Sequence, residues 1–463
     1  MPELLKREHN LAVLQISLDR AASTETGKVV FDLEIMRERI GTPLHIPCQQ
    51  MGLPSTPLEY RQFRYEPDFS VPDYVVKELH ERLASYMGEG VPLWIQLTNT
   101  SGLLPMVPWE KMLQTRLNLP ILRLPYYTLK PFTDAGSLDV AICASSPEAK
   151  EPIPVVRLVK QITDELFASV NRPVIRAHVF ADADSYAELQ TVLKDYITTS
   201  GSRSVVLYDP KQAPEFEPNM PRAASIGARH AGDSPWPAWI VGSLAGCSID
   251  ALHFVGHGYL ASDYAALAFA QSPTHNDDRK SVRFVSAQRL VDFSTQLGAW
   301  LMGFTSPPHN FSIPGMRLLV EQIARLRPGP VFMHEGMLTT TQGLLGQTYG
   351  FLCNRAVDTP PASGALMLYC HPWKIRQVAE ETDLLQQYTL ARDGKIAHAL
   401  QADVNTPNWV AASQRYLENC TAEILNESQD RRGSSATRQG EEDALRFLSD
   451  VLTRHTVSKI DPS

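Results

Sequence analysis

Asp250-Ala251-Leu252-His253-Phe254-Val255-Gly256-His257-Gly258 reads as an apolar strand that ends in a histidine held between two glycines. Similar short apolar runs recur on both sides of it: LDVAIC (138–143), VIRAHVF (174–180), SVVLY (204–208), AWLMGF (299–304), GPVFMH (329–334) and ALMLY (365–369). Several are nearly continuous in apolar residues, as expected of strands covered on both faces. Amphipathic stretches lie between them. Val155, Leu158, Val159, Ile162 and Leu166 recur at helical spacing, and so do Met316, Leu319, Val320, Ile323 and Leu326, which leaves Arg317, Glu321 and Arg325 for water. Strand and helix in alternation predict right-handed βαβ units and a mainly parallel sheet, hence a three-layer α/β/α sandwich.

The flanks read differently. Residues 1–130 hold a strand-like LAVLQISL (11–18), a helix from Pro72 to Met87, WIQLT (94–98) and LLPMVPWEKML (103–113), an α+β region expected to pack on the α/β domain of 131–375. Pro72 suits a first helical turn, and the Pro and Gly residues of 41–72 predict irregular structure. Residues 376–463 read as a helical extension with a polar break at 427–442, followed by a last helix carrying Leu445, Leu448 and Leu452 on one face.

Composition narrows the functional classes. The net charge is −8, which argues against a nucleic-acid partner, because binding there needs a dense cationic patch. No run approaches the length of a membrane span, and the charged start MPELLKREHN lacks a signal-type apolar core, so a cytoplasmic protein with no membrane partner is expected. Six cysteines, at 48, 143, 247, 353, 370 and 420, form no C-x-x-C pair; Cys143 and Cys370 close apolar runs and are expected as buried thiols. No phosphate-binding or dinucleotide motif occurs, so no cofactor is expected.

His257 is the first candidate for chemistry. At a strand's carboxyl end an imidazole can act as a general base, the plainer alternative being a loop histidine between turn glycines. His253 lies four residues earlier on the same face and reads as a satisfied core histidine rather than a metal ligand, since no further ligands are evident; no metal site is expected. Trp109 and Glu110 read as structural, with the indole N–H bonded. Asp263 could orient His257, and the polar run Asn276–Lys280 reads as a solvated turn.

DALHFVGHG resembles the strand and histidine loop of CHAT domains, relatives of caspases and separase. Leu104-Pro105-Met106-Val107-Pro108-Trp109-Glu110 is similar to the Leu-Pro-Trp-Glu element of that family, and the order of strands and helices over about 90–375 follows it. The resemblance implies a caspase-like sandwich and a cysteine–histidine peptidase whose cysteine ends the next sheet strand. Aligned on its apolar core, that strand carries Phe304 where the cysteine should stand, and no cysteine occurs between 248 and 352. Thr305 and Ser306 are the nearby hydroxyls, and each would need a base and an oxyanion hole to replace a thiolate. The resemblance therefore implies a pseudoprotease that binds a protein or peptide partner in a multi-protein signalling or defence system, with a hetero-oligomer among the assemblies open to it. The alternatives are a peptidase acting through His257 with Thr305 or Ser306, and a scaffold whose site is vestigial.

Overall fold

The computed structural model describes residues 5–6, 11–19, 27–35, 38–54, 69–84, 86–87, 91–98, 104–127, 136–147, 152–197, 201–214, 235–244, 246–261, 264–274, 282–309, 311–338, 341–354 and 356–375. By internal contacts the chain divides into residues 1–376 and 377–463. The helical extension expected over 376–463, with Asp263 and the run 276–280, lies outside the described residues.

The order begins β1 (Ala12–Asp19), β2 (Lys28–Ile35), β3 (Glu38–Arg39), β4 (Leu44–Pro47), α1 (Asp73–Ala84), β5 (Leu93–Leu97), α2 (Trp109–Leu117) and β6 (Ile121–Arg123). It continues with β7 (Ser137–Ala144), α3 (Val155–Ser169), β8 (Val174–Ala181), α4 (Ala183–Val192), α5 (Lys194–Ile197), β9 (Arg203–Leu207), α6 (Pro235–Ser243) and β10 (Ala251–Val255). Then come β11 (His257–Ala261), β12 (Tyr264–Ala270), β13 (Val282–Ser286), α7 (Ala287–Leu297), β14 (Leu301–Ser306), α8 (Ile313–Leu326), β15 (Val331–Glu335), α9 (Leu344–Cys353) and β16 (Leu366–Tyr369).

One large sheet runs β3-β2-β1-β5-β6-β16-β15-β14-β10-β7-β8-β9, with β4 beside β2. Pairing is parallel from β15 through β14, β10, β7 and β8 to β9; the antiparallel pairs are β15–β16 and those that β2 makes. The sheet runs across residue 130 without a break, because β6 pairs β16. Successive residues of each strand face opposite sides, so one strand feeds two cores. Leu252, Phe254, Met302, Phe304 and Met333 join the core beneath α1, α2, α6, α7 and α8. Ala251, Val255, Leu301 and Phe332 join the core beneath α3, α4 and α9. The mixed α/β fold with a large, mainly parallel central sheet is thus the one the alternating runs predict.

Several local expectations need correction. β4 lies within 41–72, where irregular structure is expected, because its backbone pairs with β2. Leu326, expected on the apolar face of its helix, is 42% exposed at the helix end. The strand expected at 299–304 runs instead from Leu301 to Ser306, because the backbone of Thr305 still serves the ladder by accepting from the Gly256 N–H at 3.2 Å. On α8, Arg317 and Glu321 are buried rather than left for water, and of these three charged residues only Arg325 keeps substantial exposure. Reading one amphipathic face assumed solvent behind the helix. Residues 104–126 fill that space and meet the buried charges with Glu110 and Tyr126.

A second sheet of three antiparallel strands, β11-β12-β13, leaves the large one directly after β10. Its inner face, with Leu267, Phe269 and Val285, joins the core beneath α8. Gly258 permits this approach: a Cβ there would stand 2.3 Å from the Met316 nitrogen and 2.4 Å from the Ser312 carbonyl oxygen. Only glycine fits so close a crossing. Among the described residues no helix is long and apolar enough to cross a membrane.

Candidate functional site

Chain order moves outward from β7 to β9 and then returns to β10 and onward to β14, so the direction of winding reverses between β7 and β10. Crevices at the carboxyl ends of strands beside such a reversal are the usual ligand sites of open α/β sheets. His257 stands immediately beyond the end of β10, at that position. It is almost fully buried. Its ring lies 5.2 Å from that of Phe311 and 5.9 Å from that of His309, both in the segment that links β14 to α8.

Register decides which residues of β14 approach it. Phe254 pairs with Phe304 and Val255 with Thr305, so Phe304 stands three residues short of the level of His257. The Phe304 ring is buried against Phe254 at 5.4 Å, an aromatic contact worth about 0.5–1.5 kcal/mol beyond its area.

The two hydroxyls that follow point to opposite sides of the sheet. Thr305 faces the α9 side, where its Oγ1 is 2.8 Å from His253 Nε2, and His253 Nδ1 is 2.7 Å from the Tyr349 hydroxyl. All three side chains are buried. Burial, with His334 nearby, pulls the His253 pKa down to about 3, so the imidazole is neutral and donates from one nitrogen while it accepts at the other. A Cβ at residue 303 would stand 2.8 Å from His253 Nδ1, and Gly303 leaves room for the ring. His253 is therefore a satisfied core histidine. His334, beside Thr305 in register, is fully buried with no hydrogen-bond partner for either ring nitrogen among the described residues, and burial pulls its pKa down to about 4.

Ser306 faces the other side, where the small sheet and His257 lie. Its hydroxyl is 2.7 Å from that of Ser312, the residue before α8, and Ser312 Oγ accepts the Gly258 N–H at 2.8 Å. A polar chain thus runs from the end of β14 to the residue after His257. Ser306 and Ser312 are both buried. Of the three residues singled out from sequence, the fold brings His257 and Ser306 to one side and places Thr305 across the sheet.

Among the described residues no reactive thiol takes the place of the missing one. Cys143, Cys353 and Cys370 are buried, and desolvation raises all three pKa values, that of Cys353 to about 12, so each stays a neutral thiol at physiological pH. Exposed Cys247 precedes β10, and the length of that strand separates it from His257.

Sequence reasoning did not find the charged cluster that braces this edge. Glu110, fully buried, accepts from Arg123 Nε at 2.5 Å and from Arg317 Nη1 at 2.7 Å; Arg317 Nη2 lies 3.4 Å from Glu335, which pairs in register with Ser306. The two guanidinium groups overcome desolvation and hold the Glu110 carboxyl down at about 2. Next to it, Glu321 accepts from Tyr126, Tyr369 and Arg325. The available signal was the position of Glu110 within an apolar segment, since a carboxylate enters a core only with partners. Trp109 donates from Nε1 to the Leu104 carbonyl at 2.8 Å, which fixes the preceding turn.

Among the described residues no group of three His, Cys, Asp or Glu side chains could hold a metal ion. A scan against protein-family models found no match to the chain, and a search of curated proteins found none either.

Proposed function

We propose that this chain is a CHAT-like pseudoprotease, a caspase-like module that binds or regulates a protein partner within a multi-protein signalling or defence system. The observation that carries the reading is the sealed state of the would-be nucleophiles. Ser306 is fully buried and bonded to Ser312, Thr305 is bonded to His253 across the sheet, and Phe304 fills the strand with an inert ring. Attack on a peptide carbonyl requires the nucleophile within about 3.5 Å of the carbon and an oxyanion hole beside it. A buried serine meets neither need while β11 and α8 close over it.

One observation favours a second reading, a serine-dependent peptidase: Ser306 ends its strand on the His257 side, linked through Ser312 to the Gly258 amide. Opening of the 307–312 segment would be required. The test is to incubate the protein with its co-purifying partners and follow cleavage by mass spectrometry, with His257→Ala and Ser306→Ala in parallel. Binding without fragments, weakened in His257→Ala, is expected. Fragments that vanish in both variants would replace the pseudoprotease reading with the peptidase.

A further inference from the structure

On β7, β8 and β9 the fold gathers a second group of titratable side chains, which the function proposed above does not use. Parallel register sets Asp139 beside Arg176 and places Ala141, His178 and Val206 in one row, so Asp139, Arg176 and His178 share a face of the sheet. Arg176 donates from Nε and Nη2 to the two carboxylate oxygens of Asp139, at 2.6 and 2.9 Å. His178 Nε2 lies 3.2 Å from the same carboxylate, and Nδ1 lies 3.0 Å from the hydroxyl of Tyr208, the residue after β9. The Tyr208 ring is fixed by its stack on Phe180, at 4.3 Å and 4° from parallel.

Protonation sets the direction of this chain. Against the cost of burial, hydrogen bonds from His178 and Arg176 hold the Asp139 carboxyl below its ordinary range, so it is ionised and only accepts. His178 Nε2 therefore donates to it, which in the neutral ring leaves Nδ1 as an acceptor. Burial, with Cys247 and Asp139 nearby, lifts the Tyr208 phenol to about 12, so the hydroxyl keeps its proton and donates it to Nδ1. A hydroxyl whose proton points at a base, with the base oriented by a carboxylate, is the arrangement that activates hydroxyl nucleophiles. His253 and Tyr349 form a similar pair, but both are buried, and the second nitrogen of His253 meets Thr305 instead of a carboxylate. The Tyr208 group reaches solvent. Arg176 is 48% exposed, Val206 in the His178 row is 39% exposed, and Tyr208 itself is half-buried.

We propose that Tyr208 is an acyl-acceptor site: its oxygen, with His178 as general base and Asp139 as the positioning residue, takes an acyl group from a small activated ester. The Tyr208 oxygen bonds to the acyl carbon while the bond from that carbon to the ester oxygen breaks, and the electron pair of that bond leaves with the alcohol. The phenol proton passes to His178 Nδ1 and from there to the departing oxygen. Phosphoryl donors are disfavoured, because their transfer needs cations at the transferred group and Arg176 is committed to Asp139. The site involves neither His257 nor Ser306, so it goes beyond the function proposed for them.

The test exposes the full chain to p-nitrophenyl acetate and follows acetylation of each tyrosine by peptide mass spectrometry. Tyr86, 53% exposed, and Tyr259, which stacks on Phe284 at 4.0 Å on the outer face of the small sheet, are the references. Tyr208 is expected to be acetylated at least about tenfold faster than either. His178→Gln keeps an acceptor for the phenol but cannot take its proton, and is expected to slow Tyr208 at least about tenfold with an unchanged circular-dichroism spectrum. Asp139→Asn is expected to move the pH profile of Tyr208 labelling while the references keep theirs, because the imidazolium that forms loses its counter-charge. Labelling of Tyr208 no faster than the references would overturn the inference without any variant. Equal rates in a folded His178→Gln, an unmoved profile in Asp139→Asn, or acetyl found on Cys247 with Tyr208 bare would overturn it as well.

Discussion

The two sheets meet at one dipeptide, Gly256-His257, and treat their polar groups in opposite ways. Each strand of the large sheet near the site is buried on both faces, so a hydroxyl or carboxylate there must find its partner inside the protein. Thr305, Ser306 and Glu335 all do so. The small sheet buries one face against α8 and turns the other, with its aromatic pair, outward. Chemistry at a carboxyl edge depends on groups that are positioned but reachable. Here positioning has been carried to the point of closure in the large sheet, while reachability belongs to the small one. That contrast favours binding over cleavage, and removing what closes the first sheet should have large effects where changes on the second have small ones.

The largest effect is expected from Glu110→Ala. It strands Arg123 and Arg317 in the core with their charges unmatched, and breaking a buried pair from one side costs about 3–5 kcal/mol. Urea denaturation followed by tryptophan fluorescence measures it. A loss below about 1 kcal/mol would mean that the cluster does not brace the edge and would dissolve the contrast at its base.

Acid should act next, through the neutral histidines on the α9 side. The folded pKa values of His253 and His334 are depressed to about 3 and about 4 from an ordinary 6.5. Their contribution to stability is therefore present in full above pH 6.5 and is lost as the pH falls toward 4 for His334 and toward 3 for His253, because the unfolded chain takes up protons that the folded one refuses. Glu110 acts lower, between 4.5 and about 2, so above pH 4.5 the histidines act without it. Urea midpoints are expected to fall between pH 7 and 4.5, less steeply in His334→Leu than in the parent. Parallel curves for the two proteins would show that His334 is not held neutral.

Thr305→Val sharpens the contrast within β14 itself. The substitution keeps the volume and leaves His253 Nε2 without its partner, for a loss of about 1–3 kcal/mol. Partner binding should be unaffected, because the residue faces away from His257. A binding defect at unchanged stability would move Thr305 into the site.

Much of the large sheet was legible because its signal is local. Runs such as LDVAIC, VIRAHVF and DALHFVG are apolar on both faces, and amphipathic helices separate them, so type and order follow from pattern alone. What could not be read depends on contacts distant in sequence. Whether Arg317 meets water is decided by Glu110, 207 residues away. Which hydroxyl shares a side with His257 turns on where β14 ends, and polar Thr305 and Ser306 look like a loop until the ladder bond from Gly256 extends the strand over them. The small sheet was missed for a third reason. Its strands are short, and β12, YAALAFA, puts alanines on one face where Tyr259 and Phe284 cover them from the neighbouring strands, so no period-two contrast marks it.

The smallest expected effect on stability belongs to Phe284→Ala, and that smallness is the point of it. The ring is 41% exposed and contributes its stack on Tyr259 with part of its area, so the loss should be about 1–2 kcal/mol, within reach of thermal denaturation. The ring lies at the edge of the described small sheet, where exposed aromatic area adds little to the fold. If Phe284→Ala instead lowered stability by more than about 3 kcal/mol, as removal of a core aromatic does, the outer face would be core in function and the division between a closed sheet and an open one would fail.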